Sequence, residues 1–247
     1  MLSLESYTEI WSGRLEKARK LTRQAVASSE RFYGEREPAA LWRANGALRE
    51  ALLGNSVDAR RIASIANQVP EVSRDTRARA ALVFALTGDI AHAKSLADSL
   101  AENFPADTMV RSVWVPTIGA QIEIVRGNPD RSIELLREAA PYELGMLSSN
   151  SVNSCMYPTF VRGLAYLNAQ EGLVAAAEFQ KILNHQGLLW NCLTGPLARL
   201  GLARAYVIQG DTAKAKAAYQ DFLTLWKDGD ADIPVLKRAR AEYAKLQ

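Results

Sequence analysis

Gly201-Leu-Ala-Arg-Ala-Tyr-Val-Ile-Gln-Gly210-Asp-Thr-Ala-Lys-Ala-Lys-Ala-Ala-Tyr219 reads as two helices joined by a tight turn. Gly210 suits the left-handed position that ends a helix, and Asp211 suits the N-cap of the next. Ala215, Tyr219, Phe222 and Trp226 continue at the i, i+4, i+7, i+11 rhythm of an amphipathic helix with one apolar stripe. Small Ala203 and Ala215 alternate with large Tyr206 and Tyr219, as expected where two antiparallel helices approach closely.

The same signature stands elsewhere in the chain. Gly54-Asn55, Gly88-Asp89 and Gly127-Asn128 each follow one apolar helical stretch and open another, and Pro129 takes the favoured first helical position. Successive turns, Gly210 included, are 34, 39 and 83 residues apart. The last interval is about two periods and predicts a degenerate turn near 170, at Gln170-Glu171-Gly172. Internal comparison agrees. At an offset of 40, Gly163, Tyr166, Ala175 and Phe179 match Ala203, Tyr206, Ala215 and Tyr219. At an offset of 122, Ala81, Phe84, Gly88, Asp89 and Ala93 match Ala203, Tyr206, Gly210, Asp211 and Ala215.

This periodicity predicts helix pairs at 14–30 (after a short helix), 38–53 with 57–68, and 74–87 with 89–103. It continues at 108–126 with 129–140, 157–169 with 173–184, and 196–209 with 211–226, and a last helix at 233–245 caps the array. Pro116 should kink or interrupt the 108–126 helix. One pair cannot bury its own stripe, but stacked pairs can. The expected fold is therefore all-α, a right-handed superhelical α-solenoid of about six antiparallel helix pairs, forming one domain over residues 1–247.

Composition agrees. Of 247 residues, 39 are Ala and 30 Leu, against 15 Gly and 9 Pro, the balance of a helical protein. The longest apolar run, Ala80 to Leu86, is too short to cross a bilayer, and the first residues lack the basic and apolar regions of a secretory signal. Net charge is +3. The bases Arg14, Lys17, Arg19, Lys20 and Arg23 are interrupted by acids and not interleaved with aromatics, so they read as a solvated helix face rather than a nucleic-acid surface.

The small–aromatic–Gly–Ala–aromatic pattern of Ala203, Tyr206, Gly210, Ala215 and Tyr219 resembles the tetratricopeptide family of helix-turn-helix repeats. Ala81, Phe84, Gly88, Ala93 and Ala97 fit it with one weakened position, and Pro105 ends that unit. Glu50 and Glu123 replace the aromatic in two repeats, and the period near 40 departs from the family's usual 34. A narrower likeness is carried by Ala139 to Gly145, Tyr157 to Leu183 and Gly201 to Leu246, above all Lys216 to Lys227 with Asp232 to Lys237. These segments resemble the repeat-containing C-terminal regions of acidobacterial eukaryotic-like serine/threonine protein kinases. Similar tails follow winged-helix DNA-binding domains. The resemblance implies a noncatalytic regulatory, sensor or scaffold module of a bacterial signalling protein that binds a protein or peptide segment. It implies an extracytoplasmic place for a membrane-bound kinase's tail and a cytoplasmic one for a stand-alone chain. Self-association through open repeat ends, or a sensor role in a winged-helix regulator, is the alternative.

In such arrays the first helices line a concave groove. Carrying that over gives Trp114, Gln121, Tyr157, Phe160, Asn168, Leu197 and Arg204, with Gln121, Asn168 and Arg204 either holding a peptide backbone or carboxylate or simply facing water. Two enlarged connections, 141–156 and 185–195, emerge on one edge; there Tyr142 and Trp190 either seal the core or offer exposed contacts. Trp11, Trp42 and Trp226 fall on apolar stripes, where core packing is expected.

No kinase, phosphate-loop, dinucleotide or zinc-protease motif occurs, and no cofactor or metal is expected. Asp228, Asp230 and Asp232 alternate like a calcium loop, but position 239 is Ala where a bidentate Glu is required, so they are read as a loop capping the following helix. His92 reads as a packed or surface histidine. Cys155 and Cys192 are expected as free, buried thiols on the same edge. A Cys192–His185 hydrolase is the remote alternative, since no third group stands out to orient the imidazole.

Overall fold

The computed structural model describes residues 1–33, 36–69, 72–145 and 155–247, with only the backbone at 32 and 33. Among these residues there are thirteen α-helices and no strand. They are α1 (Leu2–Trp11), α2 (Leu15–Ser28), α3 (Arg36–Leu53), α4 (Ser56–Asn67), α5 (Arg74–Leu86), α6 (Ile90–Asn103) and α7 (Val115–Val125). Then follow α8 (Pro129–Leu135), α9 (Tyr157–Asn168), α10 (Gly172–Asn184), α11 (Thr194–Ile208), α12 (Thr212–Leu225) and α13 (Pro234–Ala244). Pro116 does interrupt its helix: a π-helical turn, Val110–Trp114, runs directly into α7. The α8 helix stops at Leu135, short of the expected 140. Bonds of the i→i−3 kind take over at Arg137, Ala139 and Ala140, ahead of Pro141, which has no N–H to continue the ladder.

Six turns share one backbone geometry. Gly13, Gly54, Gly88, Gly127 and Gly210 all have φ between +74° and +94°, and Gln170 takes the same left-handed place at +60°. In each, the next N–H reaches back to a carbonyl five residues earlier: Arg14 to Glu9, Asn55 to Glu50, Asp89 to Phe84, Asn128 to Glu123, Glu171 to Tyr166 and Asp211 to Tyr206, all at 2.9–3.0 Å. That bond satisfies a carbonyl the helix end would otherwise orphan. The Gly13 turn, which makes α1 the full partner of α2, has no Asn or Asp after its glycine.

The turns divide by chemistry. Where the accepting carbonyl belongs to Phe84 or Tyr206, the following Asp caps the next helix, Asp89 accepting from His92 N and Asp211 from Lys214 N; in the Tyr166 turn Glu171 makes no side-chain cap. Where the carbonyl belongs to a Glu, the residue after the glycine is a donor that bonds back to that Glu. Asn55 Nδ2 donates to Glu50 Oε2 and Asn128 Nδ2 to Glu123 Oε2, both at 2.8 Å, and Arg14 pairs with Glu9. Asn55 and Asn128 therefore stand at N-caps without capping through their side chains, contrary to expectation. The two glutamates that break the aromatic pattern carry a polar clasp instead.

Each hairpin packs on the next. The odd helices α3, α5, α7, α9 and α11 contact one another in succession, forming an inner row, and each also touches its flanking even helices. Phe179 of α10 shows what permits this. A Cβ at Gly163 of α9 would lie 2.8 Å from its ring, and one at Gly201 of α11 would lie 2.5 Å away. The ring fills the space two missing side chains leave, with Phe160 edge-on at 6.0 Å.

The first hairpin meets the last elements of the chain. Trp226 Nε1 donates to Trp11 O at 3.0 Å, and its ring lies 2.9 Å from where a Gly13 Cβ would stand. Asp230 N donates to Gly13 O, and Asp230 Oδ2 accepts from Glu16 N at 2.8 Å. Asp230 thus caps α2, not the helix that follows it. Trp226 is buried as expected, while Trp11 and Trp42 are half-buried.

Gly201→Ala should cost about 1–3 kcal/mol, because the added methyl must displace the Phe179 ring. Gly187→Ala, with nothing within 4 Å, should be close to neutral. Urea denaturation of both variants checks the contrast.

Candidate functional site

Most of the expected groove residues are not on open surface. Trp114, Gln121, Tyr157, Phe160 and Leu197 are all buried. The reason is the inner row: each odd helix is covered by the odd helices before and after it, so its inward stripe packs against its neighbours'. Arg79 of α5 lies over the Trp114 ring at 5.3 Å, and Trp114 meets the Tyr157 ring at 6.1 Å. Arg49 of α3 lies over Tyr7 of α1 at 5.2 Å. Burial pushes the Tyr157 phenol well above its ordinary value, against the pull of Arg79 and Arg49. The remaining two residues lie nearer water but are engaged. Asn168 is exposed and bonds the Leu164 carbonyl of its own helix. Arg204 is held in a two-bond pair with Glu242 of α13, both at 3.0 Å, and Tyr219 shares that carboxylate. The α13 helix thereby clamps the end of the array.

On the loop edge, Tyr142 and Trp190 are exposed, Trp190 by 52 %, so neither seals the core. Residues 146–154 of the first enlarged connection lie outside the described residues. Cys155 and Cys192 are not free thiols. They form a disulfide, with Cα atoms 5.5 Å apart, that ties the two connections together. Thr194 Oγ1 donates to Cys155 O beside it at 2.7 Å. Sequence spacing placed both cysteines on one edge but carries no information on sulfur-to-sulfur distance. The bond also withdraws Cys192 as a nucleophile for the hydrolase alternative, while His185 Nδ1 bonds the Lys181 carbonyl. His92 is on the surface, stacked on Phe84.

The first connection is anchored by a buried charge cluster that sequence patterning did not reveal, because its members are far apart in the chain. Glu143 sits between Arg162 of α9 and Lys181 of α10, and Arg162 also pairs with Glu178. Burial would raise the Glu143 carboxyl, but hydrogen bonds from Arg162 and Lys181 outweigh it and hold it below the usual range.

A groove opens among α2, α3 and α4. The α2 and α4 helices wall it and α3 floors it, enclosing about 560 Å³. Val26, Ile62 and Ile65 give it apolar walls. Its ion pairs are largely self-contained: Arg19 grips the buried Glu50 carboxylate through two bonds of 2.7 Å and also reaches Glu16, Arg43 pairs with Glu30, and Arg61 with Asp58. Arg23 and Arg49 are the exceptions. The Arg49 guanidinium is buried, lies over the Tyr7 ring and hydrogen-bonds two hydroxyls, Ser6 Oγ at 3.0 Å and Thr22 Oγ1, with no carboxylate within ion-pair distance among the described residues. Burial lowers its pKa from the ordinary guanidinium value, with Tyr7, Glu50 and Tyr157 opposing. The basic stripe read as solvated contributes Arg19 and Arg23 to this groove. The missed signal was Gly46, a glycine in the middle of a helical stretch, which nothing in the turn pattern explained.

Two outcomes follow. Cys192→Ser, or reduction of the bond, should cost about 2–4 kcal/mol, read as a lower melting temperature that dithiothreitol produces in the wild type and not in the variant. Glu143 is a depressed carboxylate, so its contribution to stability is full above about pH 4.5 and is lost as pH falls through its lower folded value. Glu143→Gln should therefore flatten the acid limb of a melting-temperature-against-pH curve. No known protein family matches the chain, and no curated protein matches it.

Proposed function

We propose that the chain is a tetratricopeptide-like repeat module, a right-handed superhelical solenoid of six helix pairs closed by α13, that binds a protein or peptide segment and does no chemistry on it. The observation that carries this reading is the set of six turns with one backbone geometry, at Gly13, Gly54, Gly88, Gly127, Gln170 and Gly210. A chain built of equivalent hairpins offers extended surface rather than a single enclosed reaction site. The likeness of residues 139–246 to kinase tails supports a regulatory or scaffold role in a bacterial signalling protein. A disulfide between the two connections suits an oxidising compartment, which favours an extracytoplasmic tail over a cytoplasmic stand-alone protein. Among the described residues no helix is long and apolar enough to cross a membrane.

The inner face is filled by Trp114, Tyr157 and their neighbours, so partner binding falls to the groove over α3 and to the edge bearing Tyr142 and Trp190. The contacts of Trp226 and Asp230 with the first turn weigh against self-association through open ends.

Panning a random peptide library on the full chain, then mapping the enriched peptides by amide hydrogen exchange, tests the proposal. Enriched peptides should protect α2–α4 or the 185–195 edge with dissociation constants below about 1 mM, equivalent to about −4 kcal/mol. Absence of any such peptide overturns the reading. A concentration-dependent dimer in light scattering that protects the same surface would replace it with self-association.

A further inference from the structure

We propose that the groove over α3 is a carboxylate-recognition site, in which Arg49 binds an acidic side chain of an otherwise apolar peptide segment. This rests on the peptide-binding reading above and names its site and chemistry.

Three observations carry it. The first is the state of Arg49. A guanidinium has five N–H donors in a fork that matches a carboxylate. Here two donors are used, by Ser6 and Thr22, and the charge has no carboxylate of its own among the described residues. A buried charge without a counter-charge is costly, and an incoming carboxylate supplies what the fold does not. The neighbouring Glu50 does not compete, since Arg19 and Asn55 hold both its oxygens.

The second is access. Gly46 stands one turn before Arg49 on α3, where glycine destabilises a helix relative to alanine. A Cβ at Gly46 would lie 3.8 Å from Arg49 Nη2 and 3.4 Å from Thr22 Cγ2. Alanine fits there in ordinary contact, so tight packing is not what demands the glycine. Gly46 and Arg49 line the same groove, and the position the missing side chain leaves bare is the one beside Arg49 Nη2, so a longer side chain at 46 would occupy groove space next to that nitrogen.

The third is the shape and polarity of the walls. The cavity of about 560 Å³ is within the range of ligand sites. Val26, Ile62 and Ile65 line it, and Ile65 is 43 % exposed. Arg23 on the α2 side is exposed, with no carboxylate partner among the described residues. Glu30 and Asp58 are each matched by an arginine and Glu16 shares Arg19 with Glu50, so the five arginines and four acids of the lining leave one net positive charge. The fitting occupant is a short peptide with apolar residues around one acidic residue.

The test uses the full chain and two probes, acetyl-Leu-Leu-Glu-Leu-Leu-amide and its Glu-to-Gln counterpart, titrated by ¹⁵N-resolved NMR. The Glu peptide should shift the amides of Thr22, Gly46 and Arg49 and bind about tenfold more tightly than the Gln peptide, equivalent to about 1.4 kcal/mol. Arg49→Met should abolish that preference, but it also leaves the Ser6 and Thr22 hydroxyls without their partner. Gly46→Met separates binding from folding: it restores helix propensity, so the melting temperature should hold or rise while the preference for Glu is lost. Equal binding of the two peptides, shifts confined to other residues, no shift with either peptide, or a Glu preference that survives in Gly46→Met would overturn the site. Library peptides that protect only the 185–195 edge would overturn it while leaving the binding-module reading intact. A library screen without binders would remove both.

Discussion

Close stacking of these helices depends on small residues at their contacts, and Phe179 marks the place most clearly. Its ring occupies the volume that side chains at Gly163 and Gly201 would take, one glycine on its own hairpin and one on the next. The contact joins adjacent repeats through a single aromatic, and other buried small residues, Ala81, Ala93, Ala203 and Ala215 among them, provide the same freedom elsewhere. The inner row of odd helices follows from this closeness, as does the filling of the inner face.

That filling redirects function. A wide superhelix would leave its first helices open to a partner. Here Trp114, Tyr157, Arg79 and Arg49 meet side chains of neighbouring repeats, and Trp226 and Asp230 bring the last repeat onto the first turn. A concavity remains between α2 and α4, over α3. The groove over α3 combines a glycine in its lining with a guanidinium that has no carboxylate partner among the described residues.

Much of the fold was legible because helix ends are local. A left-handed residue followed by a capping or clasping side chain needs only the few residues around it, so Gly54, Gly88, Gly127 and Gly210 announced their turns, and Gln170 could be inferred from the period. Gly13 was not singled out because its next residue, Arg14, is neither Asn nor Asp; it clasps Glu9 instead. The exchange of aromatic–Asp turns for Glu–Asn turns was also present in the sequence, but its meaning required the distance between Glu50 and Asn55.

The site was less legible, for a reason of range. Groove positions were assigned by their place on each first helix, which predicts the face but not what covers it. Sequence by itself determined the helices, their turns and the small-against-large stacking, because hydrophobic period and backbone preference act within a few residues. Only the tertiary structure decided that the inward residues are buried, that Cys155 meets Cys192, that Glu143 is gripped from α9 and α10, and that Arg49 lies near Gly46 with no carboxylate partner among the described residues. Each depends on how far one helix lies from another, and that distance is set by the side chains of both together.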